Sequence, residues 1–180
     1  TKAIVFSSIK YSESDLIVTC FTQKFGVKSY LLKRILKSKT GKMKASYFQP
    51  LTQLDLVAFH KNKGTLENIQ EAKVIRPYTS LHTNVVKTGM VMFLSEMLKN
   101  CIKEEENNEN LYEYLENAFN WLDGHDNIAN FHILFLLKLS SHLGFFPDAS
   151  TIENQYFNLL DGCFQKDKTN TYCLNGPIVE

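Results

Sequence analysis

The four cysteines of this sequence, Cys20, Cys101, Cys163 and Cys173, contain no CxxC pair, and the last two stand ten residues apart. A structural zinc site needs ligands paired two to four residues apart, four in all, so neither a zinc framework nor a disulfide framework is expected. Cys20 and Cys101 fall inside apolar runs, where cysteine acts as a small hydrophobe, and a reducing, intracellular compartment follows. No charged-then-apolar segment opens the chain. The longest unbroken apolar runs, such as Ile133–Leu137, fall far short of the roughly 18 residues a membrane span requires. A soluble cytoplasmic protein with no membrane partner is the expectation. The missing initiator Met and the ending PIVE read as a trimmed or partly ordered chain.

Catalytic signatures are equally scarce. There is no GxSxG elbow, no cysteine flanked by a recognisable partner, and no tightly spaced carboxylate pair. The segment KSKTGKMK has a Gly-Lys pair, but it lacks the earlier glycine of a P-loop and carries Met where Ser or Thr is needed. Asp123, His125, Asp126 and His132 straddle a helix start, where Asp126 reads as an N-cap and His132 sits on a mostly apolar helix. The run Glu104–Glu106 reads as a hydrated loop. Neither an enzyme, a metal nor a cofactor is expected.

What the chain does have is an uneven charge distribution. The total is +1, yet residues 1–64 hold twelve Lys/Arg against three Asp/Glu, a net +9. Residues 65–180 hold eight against sixteen, a net −8. A basic front and an acidic back point to two domains, with the front one drawn to an anion. Nucleic acid is the commonest polyanion; an acidic partner or a membrane surface also fits. Six cations (Lys33, Arg34, Lys37, Lys39, Lys42 and Lys44) fall within twelve positions that contain no acid. Such a run repels itself unless an anion neutralises it.

The first third reads as strands: Ala3–Ile9, Leu16–Thr22, Val27–Leu32, Pro50–Phe59 and Leu66–Ile75, most joined by tight turns such as YSESD at 11–15. Five short strands in about 75 residues suggest a small closed barrel of the OB type. In such a barrel the long basic link from Leu36 to Phe48 falls between strands three and four, where Met43–Phe48 forms a short helix. After Arg76-Pro77-Tyr78 the period changes. Leu81, Val85, Val86, Phe93, Met97 and Cys101 suggest one long helix, and Leu111, Leu115, Ala118, Phe119 and Leu122 a second that stops at Gly124. Residues 128–143 are apolar nearly all round, as in a central buried helix, with Gly144 as its stop. The tail from Thr151 reads as one more short helix and irregular chain. The fold class is therefore α+β: an N-terminal five-stranded OB-fold barrel over residues 1–78, then an α-helical bundle over 79–180.

Around the basic link, Lys10, Lys28, Lys61 and Lys63 add charge to the same barrel. Lys28 and Tyr30 share one side of their strand, and Tyr47 and Phe48 follow the basic run as either exposed stacking rings or core. Cations beside aromatics on a small barrel suit single-stranded nucleic acid, whose bases stack while its phosphates pair with Lys and Arg.

The order of features resembles the bacterial recombination mediator family RecO, of the kind found in Bacteroidetes. The resemblance rests on Tyr11-Ser-Glu13-Ser-Asp15, Phe21-Thr22, Gly26, the basic LLKRILKS, Gln49-Pro50-Leu51, Gly64-Thr-Leu66, Phe93-Leu-Ser-Glu96 and Leu143-Gly144-Phe145-Phe146-Pro147-Asp148. It implies binding of single- and double-stranded DNA, annealing of complementary strands, and work with RecR and RecF. Together these help RecA displace the single-stranded-DNA-binding protein, SSB. The family often has Gly after the Lys that ends strand three; this chain has Arg34. Many relatives carry a four-cysteine zinc site after the GF-P-D segment, which Cys163 and Cys173 alone do not supply. Relatives also continue past residue 180, so a further C-terminal helix is expected. For the acidic SSB tail the resemblance leads to Lys99 and Lys103, four apart beside Met97 and Cys101 at the end of the long helix. A different reading is a protein-interaction adaptor whose basic loop docks an acidic peptide tail.

Overall fold

The structure is a computed structural model that describes residues 1–37, 43–60, 66–103 and 106–176. It comprises two compact units, Thr1–His132 and Ile133–Glu180.

In the first unit, strands β1 (Lys2–Lys10), β2 (Leu16–Thr22), β3 (Gly26–Leu32), β4 (Gln53–Phe59) and β5 (Asn68–Val74) form an antiparallel sheet in the order β3-β2-β1-β4-β5. Its two edges meet. A parallel bridge joins Tyr30 to Glu67, with the Glu67 N–H donating to the Ser29 carbonyl and the Leu31 N–H to the Glu67 carbonyl, both at 2.9 Å. The strand circuit 1-2-3-5-4 is that of the OB fold. Bulges at Val5/Ser7 and Val57/Ala58 supply the curvature such closure needs. Alternation turns Leu16, Val18 and Cys20 of β2 and Leu54 and Leu56 of β4 into the interior, where Ala3, Val5, Tyr30 and Leu32 join them. The expected short helix is a 3-10 turn at Ala45–Phe48, with Phe48 in the core and Tyr47 packed against it. That settles both rings as packing residues.

β1 is buried on its outer side too, which explains its unbroken apolar run. Phe6 stacks on Phe21 at 5.7 Å between centroids, and Phe21 lies 6.0 Å from the ring of Tyr112. Tyr112 belongs to α2 (Glu109–Gly124), whose Leu111, Leu115, Phe119 and Leu122 face inward as their spacing indicates. Asn108 caps this helix through the Leu111 N–H.

α1 (Val85–Cys101) departs from the sequence reading. Asn84 caps it, so Leu81 lies before the helix, and its buried stripe is Lys87, Val91, Leu94, Ser95 and Leu98. Val85, Val86 and Phe93 are exposed instead. Lys87 is the reason: a lysine was not counted as an inward residue, yet it is only 2% exposed. Its Nζ donates to Ser80 Oγ at 2.7 Å and to the Asp123 carbonyl at 3.0 Å. The Asp123 carboxylate in turn accepts the backbone N–H groups of Thr79, Ser80 and Leu81 and the hydroxyls of Thr79 and Ser80. The segment after the barrel is thereby pinned to the end of α2. Asp126, expected as a helix cap, lies 3.9 Å from Lys87 Nζ.

The second unit holds most of α3 (Phe131–His142). Only Phe135 and Leu139 of this helix are buried, while Ile133, Leu134 and Leu137 are exposed, so it is not the all-round buried helix its composition suggests. Gly144, at φ +82°, ends it as expected, with the Phe145 N–H reaching the Ser140 carbonyl. In place of the expected short helix, the tail forms a small sheet in the order β7-β6-β8, from β6 (Tyr156–Asn158), β7 (Cys163–Gln165) and β8 (Cys173–Leu174). Buried Asn158 sits in register with both Cys163 and Cys173, and its amide donates to Asp161 and Gln165.

Candidate nucleic-acid interface

The turn YSESD is a self-bonded knot. Ser12 Oγ accepts the N–H groups of Ser14 and Asp15, Ser14 Oγ donates to the Asp15 carboxylate at 2.8 Å, and the Tyr11 N–H returns to the Asp15 carbonyl. This knot then holds a second turn, residues 33–37. Asp15 Oδ1 accepts the Arg34 N–H at 2.7 Å, the Ser14 carbonyl accepts the Leu36 N–H at 3.0 Å, and Lys37 Nζ reaches Glu13 Oε2 at 3.3 Å. The Arg34 N–H, followed by the Ser14 hydroxyl, holds the Asp15 carboxyl below its usual range. Ile35, buried between exposed neighbours, plugs the second turn into the barrel.

Arg34 sits at φ +58°, the left-handed region that favours glycine. Arg34 meets this backbone need with the help of the Asp15 carboxylate, which accepts its N–H.

Register brings the cations to one end. Lys10 pairs with Leu16, and Leu16 with Leu32, so Lys10, Lys33, Arg34 and Lys37 share one mouth of the barrel, all exposed. Lys44 is exposed just before the 3-10 turn. Lys39, Lys42, Lys61 and Lys63 lie outside the described residues.

Two expected residues lie elsewhere. Tyr30 is 0% exposed, inside the barrel, with its hydroxyl 2.9 Å from His60 Nε2. It is corrected from a stacking residue to a core residue, since the face it shares with Lys28 is the inner one. Lys28 pairs with Cys20, towards the opposite end of the strand, in the field of His60. His60 has its pKa lowered, chiefly by burial, and it meets the ring of Phe25 edge-on at 4.7 Å.

Lys99 and Lys103 do not form the expected pair. α1 ends at Cys101 and Ile102 caps it in extended conformation, so Lys103 is beyond the helix and off its face. Among the described residues, no three His, Cys, Asp or Glu side chains stand together as a metal site. Nor is any helix there long and apolar enough to cross a membrane.

Sequence reasoning missed Glu13 and Asp15 as the residues that hold the basic turn. YSESD was read as turn formers and as part of the family resemblance, although its Ser-x-Ser-Asp spacing is the signal of a side-chain-bonded turn.

This barrel and its helical continuation match two family models, Recombination protein O N terminal over residues 1–78 and Recombination protein O C terminal over 82–167. The chain belongs to the RecO family. It is 53% identical to a DNA repair protein RecO of Christiangramia forsetii over all 180 residues, which make up 75% of that relative. It is 50% identical to the protein of that name from Flavobacterium johnsoniae over 95% of this chain and 72% of the relative. With that of Phocaeicola vulgatus it shares 33% identity, over 91% and 68%. RecO membership assigns the chain to DNA repair and recombination.

Proposed function

We infer that this RecO chain binds single- and double-stranded DNA through the barrel mouth carrying Lys10, Lys33, Arg34 and Lys37. On that footing it anneals complementary single strands and, with RecR and RecF, helps load RecA onto SSB-coated DNA. Residues 1–78 make the DNA contacts in this reading, and residues 79–180 make the protein contacts, including the SSB tail. The observation that carries it is the convergence of four exposed cations, Lys10 at the end of β1 and three on the 33–37 turn, where two turns fasten each other in place. A held array of cations matches a phosphate backbone without loop ordering on binding. Lys39, Lys42, Lys44, Lys61 and Lys63 extend the contact set in this proposal, while Lys28, on the inner face towards the other end of its strand, drops out of it.

The test is a titration with a labelled oligonucleotide at several salt concentrations, beside a titration with an acidic peptide. Phosphate binding gives a steep linear fall of log affinity with log salt and saturates with strand length. A chain that binds the peptide and not the oligonucleotide is the adaptor of the other reading. Mixing two complementary labelled strands at saturating protein then measures annealing.

A further inference from the structure

The cations at the barrel mouth bring no preference for single strands, since phosphates are common to both forms of DNA. The residue that supplies one stands beside them. Tyr11 is 64% exposed, directly after Lys10 and at the head of the self-bonded turn. Among the described residues its side chain has neither a hydrogen-bond partner nor a ring partner. Its backbone, however, is fixed: the Tyr11 N–H is bonded within the turn, and the turn is bonded to Arg34 and Leu36. An aromatic face is thus presented to solvent from a rigid support, next to Lys10, Lys33 and Arg34.

The surface leading away from it is suited to the same ligand. Ile9, two residues before Tyr11, is in register with Ile17, and Ile17 with Leu31, giving an apolar row across the outer side of β1, β2 and β3 that is exposed at Ile9 and half-buried at Ile17 and Leu31. The next row inward holds Thr19 and Ser29, whose hydroxyls bond each other at 3.1 Å. Bases have apolar faces and polar edges; phosphates need cations. The ring, the apolar row and the basic turn offer each of these in one place.

We propose that Tyr11 is a base-stacking residue and that it makes the barrel mouth select single-stranded over double-stranded DNA. This rests on the DNA-binding reading above. Stacked bases in a duplex have no free face for the ring, whereas every base of a single strand does.

The experiment compares the full chain with Tyr11→Ala and Tyr11→Phe. Binding is measured to oligothymidine longer than the ~16 nucleotides an OB barrel covers, and to a duplex of equal length, at several salt concentrations. Tyr11→Ala should weaken single-strand binding about 5- to 100-fold, leave duplex binding unaltered, and keep the same salt slope, because no phosphate contact is lost. Tyr11→Phe should bind as the parent does. Parent protein irradiated with an oligonucleotide containing iodouracil should crosslink at Tyr11. Unchanged single-strand affinity in Tyr11→Ala, or equal weakening on both forms of DNA, overturns the proposal while leaving the basic turn in place. A parent chain that binds neither form overturns the DNA-binding reading itself.

Discussion

Arg34 separates what the backbone requires from what the ligand requires. A non-glycine residue in the left-handed region costs about 1–2 kcal/mol, and the position has φ +58°. Arg34→Gly should therefore raise stability by up to about 1 kcal/mol, after the added freedom of the unfolded chain is deducted. The same change should weaken DNA binding and lower its salt slope by about 0.7, the loss of one phosphate contact. Thermal melts and salt titrations on one preparation check both halves; a variant that binds unchanged removes Arg34 from the contact set. Glu13 acts in the opposite sense. Its carboxylate is exposed, lies 3.3 Å from Lys37 Nζ, and repels an incoming phosphate. Glu13→Gln should tighten DNA binding up to about five-fold at low salt, with the gain fading as salt screens it. Weaker binding would mean that Glu13 serves mainly to hold Lys37 in position.

At the scale of elements, the decisive joint is the end of α2. Burial alone would push the Asp123 carboxyl up, but the backbone N–H groups of Thr79, Ser80 and Leu81, with the Thr79 hydroxyl, bring it down to about 2 from an ordinary 3.8. Folded protein thus binds that proton less readily than unfolded protein. The resulting stability is fully present above about pH 4 and is lost as the pH falls towards 2, an amount on the order of 2 kcal/mol. Acid unfolding should reveal it: Asp123→Asn should be less stable at neutral pH, with a flatter stability curve between pH 4 and 2. An unchanged slope would show that other carboxylates govern acid unfolding. In the small sheet of the second unit, buried Asn158 lies between Cys163 and Cys173, the two cysteines of that unit. Asn158→Ala should lower stability by about 1–3 kcal/mol through the groups left unpaired. A chelator should leave the melting temperature alone, and stoichiometric zinc in the purified protein would contradict this account.

Across the whole molecule, the strands were legible because alternation and β-branched runs are local signals, and the short helix in the basic link followed from the barrel's connectivity. α1 was misread because the residue that fixes its inward face is a lysine; its burial depends on Ser80 and Asp123, far apart in sequence. α3 was misread because composition does not tell an apolar helix that is covered from one that is exposed. For the site, the charge was visible and the ordering was not. Register across three strands was needed to gather Lys10 with Lys33, and Tyr30 looked available only while the barrel's interior was unknown. The acids at Glu13 and Asp15, which hold the basic turn, lie outside the run whose lack of acid drew attention.

The central claim is that the described barrel mouth binds phosphates, and the salt dependence of oligonucleotide binding tests it most directly. The variant Lys10→Ala, Lys33→Ala, Arg34→Gly, Lys37→Ala removes all four cations there, and with them four contacts of about 0.7 each on single strands. The slope of log affinity against log salt should flatten by roughly 2 to 3, affinity should fall alike on every sequence, and the melting temperature should hold or rise slightly through Arg34→Gly. A variant that keeps the parent slope, with its fold intact, would contradict the assignment of DNA binding to this end of the barrel.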